Sequence, residues 1–415
     1  MDTKLSYDVA VIGGGAAGFF AAIAIAEARA GTRVVILEAS PRVLTKVKVS
    51  GGGRCNVTHH LFEPKEFIKR YPRGEKELLG PFHRFGAQQT IAWFAAHGVT
   101  LKAEADGRMF PDTNSSQTII DALQEAQRAA GVELRCRTLV QSIARTSEGF
   151  RLNLRQDDSL EARYVVLATG SMSQGLELAK SLGHELVAPV PSLFTFEIEE
   201  SFLKELAGQS FAQINAQLRV GSAKKSWMQS GPALITHWGM SGPAILRLSA
   251  FAARELAEQD YKAELTVNWC GESKGDEVRS LLVQSKHDSA KKNMSNEHPF
   301  AFSKRFWEAL LAYAQIPGDK VWAQLNNKEL QALVEALTAM KLSVCGKGVF
   351  KEEFVTAGGI QRQDVDFRSM ESRLCSGLYF AGEVLDIDGV TGGFNFQNAW
   401  TGAWLAGQHL AERLG

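Results

Sequence analysis

The stretch YDVAVIGGGAAGFFAAIAIAEARAGTRVVILE, residues 7 to 38, decides the fold. Tyr7 to Ile12 is a short apolar run that reads as a buried strand. The sequence Gly13-Gly14-Gly15-Ala16-Ala17-Gly18 then turns tightly into a small-residue helix over 16–30, and Arg33 to Leu37 reads as the next parallel strand. Glu38 closes that strand twenty residues after Gly18, where a carboxylate accepts hydrogen bonds from a ribose. Gly13 permits the turn, Gly15 lets backbone N–H groups approach a pyrophosphate, and Gly18 lets helix and strand close up. The glycine pattern alone is weak evidence. With strand, helix, second strand and acid all in place, it predicts an α/β, Rossmann-like domain binding an ADP-containing dinucleotide. Gly13, Gly15, Ala16, Ala17 and Gly18 are expected at the pyrophosphate, and Glu38 with Ala39 at the adenosine ribose.

Three further segments favour FAD as the resident cofactor. Tyr164 to Ala168 is another apolar strand, and it ends in Thr169-Gly170. An Ala168-Thr169-Gly170 strand end resembles the second fingerprint of flavoproteins with two dinucleotide motifs, where the chain passes beside the cofactor. Leu378 to Ala381 runs into Gly382-Glu383, an arrangement resembling the acidic motif that binds the ribityl chain in the same superfamily. A carboxylate suits that task because ribityl hydroxyls donate and an ionised acid only accepts. Gly392-Gly393-Phe394-Asn395 then opens a helix over 396–410, whose amino end can stabilise negative charge on a reduced flavin. Val140, in the alternating run TLVQSI, is expected to offer backbone contacts to the adenine.

At whole-chain scale, four blocks carry a family resemblance: Ser50-Gly51-Gly52-Gly53-Arg54-Cys55-Asn56, residues 107–111 (GRMFP), residues 236–243 (THWGMSGP) and residues 382–397 (GEVLDIDGVTGGFNFQ). They resemble the bacterial BaiN-like (YhiN-like) family of NAD(P)/FAD-dependent oxidoreductases, over essentially the whole chain. The resemblance implies a discontinuous FAD-binding domain with an inserted β-rich subdomain and a small helical subdomain. It also implies FAD chemistry, and one class of members reduces carbon–carbon double bonds conjugated to a ketone in bile-acid intermediates. By the same resemblance Gly52, Gly53, Arg54, Cys55 and Asn56 are expected beside the cofactor. There three glycines would let backbone approach a flat ring, Arg54 would meet phosphate or flavin, and Asn56 a flavin edge.

Composition narrows the field. A chain of 415 residues is long for one core, so two or three domains are expected. Lys+Arg and Asp+Glu both total 46, leaving no net basic field to attract nucleic acid or an anionic membrane. The five cysteines, Cys55, Cys136, Cys270, Cys345 and Cys375, include no Cys-x-x-Cys pair, which disfavours a dithiol reductase and a zinc site. The first apolar stretch is broken by glycine and preceded by charges, unlike a signal peptide or membrane span. A cytoplasmic protein acting on a small-molecule substrate, with no nucleic-acid or membrane partner and no metal, is the resulting expectation.

The dinucleotide motifs lie at both ends of the chain, so the FAD-binding domain is expected from 1–190 and 355–415. Pro189 and Pro191 mark the exit and glycines 346, 348, 358 and 359 the return. A β-rich insert is expected over 191–270, with strands at 194–198, 214–220 and 263–268 forming a barrel or sandwich. A mainly helical insert follows over 271–354. Within it 271–299 reads as partly a surface connection, with helical structure beginning at 281–285 and helices over 302–315 and 328–340.

Several residues admit two readings. Lys46 faces phosphates or solvent, as does Lys48, with Lys46 retained as a cofactor contact. Cys55 reads as a small residue packed behind the glycine loop rather than a redox thiol, since no resolving partner is evident. His237 or Ser241 could serve as a proton donor, but a helix start capped near Ser241 with Pro243 in its first turn accounts for most of that segment. Arg108 pairs with substrate or with a surface carboxylate. Asp386 and Asp388 read as cofactor-binding or loop-shaping rather than acid–base groups, and Asp386 is placed at the cofactor. The reaction expected is hydride transfer from NADPH or NADH, bound transiently because no second glycine fingerprint exists, through FAD to an organic acceptor such as a conjugated ketone. The alternatives are a substrate-reduced dehydrogenase or oxidase and a non-enzymatic flavin redox sensor.

Overall fold

The computed structural model describes residues 7–155, 158–221, 225–348 and 355–415. Strand β1 (Tyr7–Ile12) is followed by helix α1 (Ala16–Ala28), strand β2 (Val34–Leu37) and helix α2 (Thr45–Gly53). β1 pairs in parallel with β2 on one side and with Ser159–Leu167 on the other, while β2 continues in parallel to Glu133–Arg135. Leu378–Phe380 joins the far side of Ser159–Leu167, again in parallel. Residues 9–12, 34–37, 164–167 and 378–380 are buried throughout, which explains why they read as unbroken apolar runs rather than as alternating ones.

Helix α1 is apolar all round and buried from Ala17 to Ala26. Such a helix has to be covered on every side. The sheet covers one side and the long helix Phe394–Leu414 another, and a Cβ on Gly407 would lie 2.7 Å from the Ala24 Cβ. The expected helix over 396–410 therefore begins two residues earlier and ends four later, because its first turn and last turn both have packing partners.

The chain divides into two compact units, residues 1–190 with 356–415, and residues 191–355. It leaves the first along Leu186–Ser192 and returns along Val355–Ile360, which pair with each other. In the second unit, Phe196–Ile198, Gly239–Ser241, Ser226–Ile235, Ser210–Val220, Ala263–Asn268 and Met340–Lys347 close a six-stranded barrel in that spatial order. Closure removes sheet edges.

Three sequence expectations change here. The barrel's last strand comes from Met340–Lys347, inside the stretch expected to be helical, because the helix Asn327–Thr338 stops short of Met340. The helical stretch consequently shares one core with the barrel: Phe211, Trp269 and Phe306 meet at ring distances of 4.7 to 5.0 Å. Finally, the helical structure expected to begin at 281–285 within 271–299 starts earlier, as helix Gly275–Asp288, whose only buried residues are Val278 and Leu282. One i,i+4 apolar pair is too narrow a stripe to stand out in a polar sequence.

Candidate active site

The carboxyl ends of β1, β2 and Ser159–Leu167 open onto a cleft of about 350 Å³. Ligands of open α/β sheets bind outside such strand ends. The glycine turn forms its floor. Gly13 has φ +111°, and a Cβ there would sit 2.5 Å from the Ala168 carbonyl oxygen. At Gly18 a Cβ would be 1.9 Å from the Gly13 oxygen, so α1 can start against β1 only with glycine. Gly15 is different: a Cβ there would meet nothing within 4 Å, so its α-carbon faces open cleft.

Glu38 is held at the cleft by two backbone donors. Its Oε2 accepts from Gly14 N–H at 2.7 Å and its Oε1 from Ser40 N–H at 2.8 Å. The remaining lone pairs of both oxygens can accept ribose hydroxyls. Glu383 follows the 378–380 strand and accepts from Lys46 Nζ at 2.6 Å. The Thr169 hydroxyl is buried and has no hydrogen-bond partner among the described residues. Open backbone at Gly15, two carboxylates and an unsatisfied hydroxyl are a donor and acceptor set that fits FAD.

Fourteen of the sequence-predicted residues line this cleft: Gly13, Gly15, Ala16, Ala17, Glu38, Ala39, Lys46, Val140, Ala168, Thr169, Gly170, Gly382, Glu383 and Asn395. Gly18 serves it from behind, as the helix–strand contact already described. Lys48 is exposed. Arg42, Met172 and Gln174 also line the cleft and escaped the sequence reading. Arg42 sits four residues past Glu38, the one signal that could have drawn attention to it.

A second group of predicted residues gathers in a neighbouring corner of the same unit and is absent from that lining. α2 runs helically to about Val49, after which Gly51, Gly52 and Gly53 all adopt left-handed φ of 56°, 67° and 81° and lie exposed. Arg54 then stacks over Phe110 at 4.0 Å and pairs with Glu104 at 2.6 Å. Arg108 pairs with the same Glu104 and with Asp106, which selects the carboxylate alternative for it. Cys55 is buried, and burial pushes its thiol up to about 12 despite a hydrogen bond from Ser50. It is an inert packing residue.

Asn56, oriented with its amide nitrogen towards the Thr58 and Met109 carbonyls, accepts from Gly393 N–H at 3.0 Å. Its side chain thus binds backbone through both ends of the amide. Asn395 lines the cleft, yet its amide is engaged at both ends by the Gly389 N–H and carbonyl, at 2.7 and 2.8 Å. Phe394 is buried; its carbonyl accepts from Tyr71 Oη at 2.6 Å and its ring stacks on His59. Asp386 is buried and faces Arg362 at 4.0 Å, away from the cleft lining, and Asp388 is fully buried in a bidentate pair with Arg73. Asp386, expected at the cofactor, is thus absent from the cleft lining.

His59 is a further residue the sequence reading passed over. Its Nε2 lies 3.1 Å from the Asp106 carbonyl, so this nitrogen carries the proton, and Nδ1 is a buried acceptor without a partner among the described residues. Burial lowers its pKa, keeping the ring neutral. In the second unit His237 is exposed beside Trp238, while Ser241 accepts from the Thr195 hydroxyl at 3.0 Å. The cap of helix Pro243–Phe251 is Gly242 rather than Ser241, with Pro243 in the first turn as expected. Among the described residues no cluster of His, Cys, Asp and Glu could hold a metal ion, and no helix is long and apolar enough to cross a membrane.

A parallel sheet with a glycine turn, and with the acids Glu38 and Glu383 beyond its strand ends, is the frame of an FAD-dependent oxidoreductase. The chain belongs to the HI0933-like protein Rossmann domain family, whose model matches residues 7–409. It is 30% identical to the ribosomal RNA dihydrouridine synthase of Escherichia coli K12, over 97% of this chain and 98% of that protein. It is 27% identical to the 3-dehydro-bile acid delta(4,6)-reductase of Clostridium scindens, over 98% and 99%. In fold it is similar to the 3-ketosteroid-delta4-(5alpha)-dehydrogenase of Rhodococcus jostii RHA1, with a TM-score of 0.52 at 15% identity, over 99% of this chain and 98% of that one.

Proposed function

We propose that this protein is an NAD(P)H-dependent reductase that adds a hydride and a proton across a carbon–carbon double bond conjugated to a carbonyl. One observation carries the reading. Full-length relatives are named for a dihydrouridine synthase and for a bile-acid delta(4,6)-reductase. Uracil C5=C6 is conjugated to a ring carbonyl, and the bile-acid double bonds are conjugated to a ketone, so the two substrates share one reacting group.

Bound FAD supplies the chemistry of taking two electrons from a nicotinamide and delivering them to such an acceptor. The chain's residues hold it in place. Glu38 binds the adenosine ribose, the backbone at Gly13–Gly15 approaches the diphosphate, Thr169 satisfies its hydroxyl on the cofactor, and Glu383 binds the ribityl chain. The exposed left-handed glycines at 51–53 and the first turn of helix Phe394–Leu414 form the flavin end of the site.

The test is an anaerobic titration of the FAD-loaded protein with NADPH and with NADH, following the flavin's visible absorbance. One donor is expected to bleach it. The reduced protein is then mixed with uridine-containing ribosomal RNA lacking the modification, and separately with a 3-oxo-4-ene steroid. The RNA arm goes first, because the relative at 30% identity and a second at 28%, from Haemophilus influenzae, both carry that name. Reoxidation with formation of the saturated product in either arm supports the reading. A flavin that stays oxidised with both donors, or reduced with both acceptors, refutes it.

A further inference from the structure

Four charged side chains line the cleft: Glu38, Arg42, Lys46 and Glu383. Glu38 is committed to backbone N–H groups through both oxygens. Lys46 and Glu383 are committed to each other, with Nζ 2.6 Å from Oε2. That contact is not local. Lys46 lies in α2, which follows β2 on one side of β1, whereas Glu383 follows the 378–380 strand on the other side, beyond Ser159–Leu167. The ion pair therefore joins elements that flank β1 on opposite sides in the sheet order.

The charges of the cleft balance, two cations against two carboxylates. A diphosphate adds one negative charge per phosphate and shifts that balance. Lys46 is the more exposed partner: its side chain is 65% exposed, on a stem with four rotatable bonds, against 18% for Glu383. Glu383 in turn cannot give Oε2 fully to a hydroxyl donor while an ammonium occupies it.

We propose that Lys46 and Glu383 exchange one another for the cofactor. The Lys46 ammonium moves from the carboxylate to the diphosphate, and Glu383, released by that move, accepts from the ribityl hydroxyls. No bond is made or broken covalently and no proton moves. The exchange couples the two halves of the cofactor, since the phosphates draw off the cation that otherwise holds the ribityl acid. It rests on the placement of Glu383 at the ribityl chain.

The test is a double-mutant cycle on flavin-stripped full-length protein, with FAD affinity read from quenching of flavin fluorescence. Lys46→Met is expected to raise the Kd about three- to tenfold, and Lys46→Arg to stay within about twofold of wild type because it keeps the charge. Each single variant loses a cofactor contact but is spared breaking the pair. Lys46→Met/Glu383→Gln should therefore bind more weakly than the product of the two single effects, by about threefold. Single effects that simply multiply overturn the exchange while leaving both residues as cofactor contacts. A wild-type Kd for Glu383→Gln instead overturns the placement of Glu383. Equal losses in Lys46→Met and Lys46→Arg would assign the residue a packing role and also overturn the exchange.

Discussion

Two glycine-rich regions of the first unit look alike in sequence and behave differently in structure. In the wall from Gly13 to Glu38, polar groups are turned towards the cleft: Glu38 keeps lone pairs, Gly15 faces open space and the Thr169 hydroxyl waits for a partner. In the corner made by residues 51–59 and 386–395, most side-chain polar groups are paired with neighbouring chain, His59 Nδ1 being an exception. Asn56 holds Gly393, Asn395 holds Gly389, Tyr71 holds Phe394 and Arg73 holds Asp388. A buried polar group has to be paired, and this loop pairs itself internally.

The contrast makes a sharp separation testable. Arg73→Leu should do the most damage, because it removes the guanidinium that pairs with the fully buried Asp388 carboxylate through two bonds, at a cost of about 3–5 kcal/mol. It is read as a loss of stability in denaturant melts of flavin-free protein. A loss under about 1 kcal/mol would show that the corner does not depend on its internal pairs.

Glu38→Ala is expected to reverse that pattern. FAD affinity should fall about 30-fold, roughly 2 kcal/mol for lost charged hydrogen bonds, while flavin-free stability changes by half that or less. Equal affinity to wild type would break the claim that the wall presents its groups to the cofactor.

Asn395→Ala sharpens the comparison at the point where the two regions touch. Removing both bonds to Gly389 should cost about 1–2 kcal/mol of stability, with FAD affinity following only through the loop. A large affinity loss with unchanged stability would mean that its amide serves the cofactor after all.

The smallest effect lies outside both regions. Burial raises the Asp8 carboxyl, but hydrogen bonds and charge from Arg33 more than offset this and hold it below its usual range. With the folded value below the unfolded one, the group stabilises above the unfolded pKa and loses that contribution as pH falls through the folded value. Asp8→Asn should flatten the acid limb of the stability curve below about pH 4, by about 0.5 kcal/mol. An unchanged limb would refute the pairing.

Legibility in the sequence followed the range of the interactions. β1, α1, β2 and Glu38 could be read because their spacing is fixed by one local turn, and every acid or small residue in it has a single geometric reason. The strand at 263–268 could be read from its alternation. The strand Met340–Lys347 was hidden because it starts two residues after a helix and finds both its barrel neighbours far away in the chain. His59 was hidden because nothing nearby in sequence announces that residues 106 and 394 flank its ring.

By itself, then, the sequence determined the class of fold and FAD as the cofactor, and it pointed to residues that the structure gathers along one cleft. Those rest on steric limits at Gly13 and Gly18 and on the chemistry of a carboxylate at a strand end, all set within a few tens of residues. The tertiary structure alone decided which motif side chains remain available. Asn56 is engaged by Gly393 from the far end of the chain, whereas Asn395 is held by Gly389 of its own loop and Asp386 lies buried near Arg362. Lys46 and Glu383, 337 residues apart, became one ion pair for the same reason: only packing of the sheet puts their charges within reach.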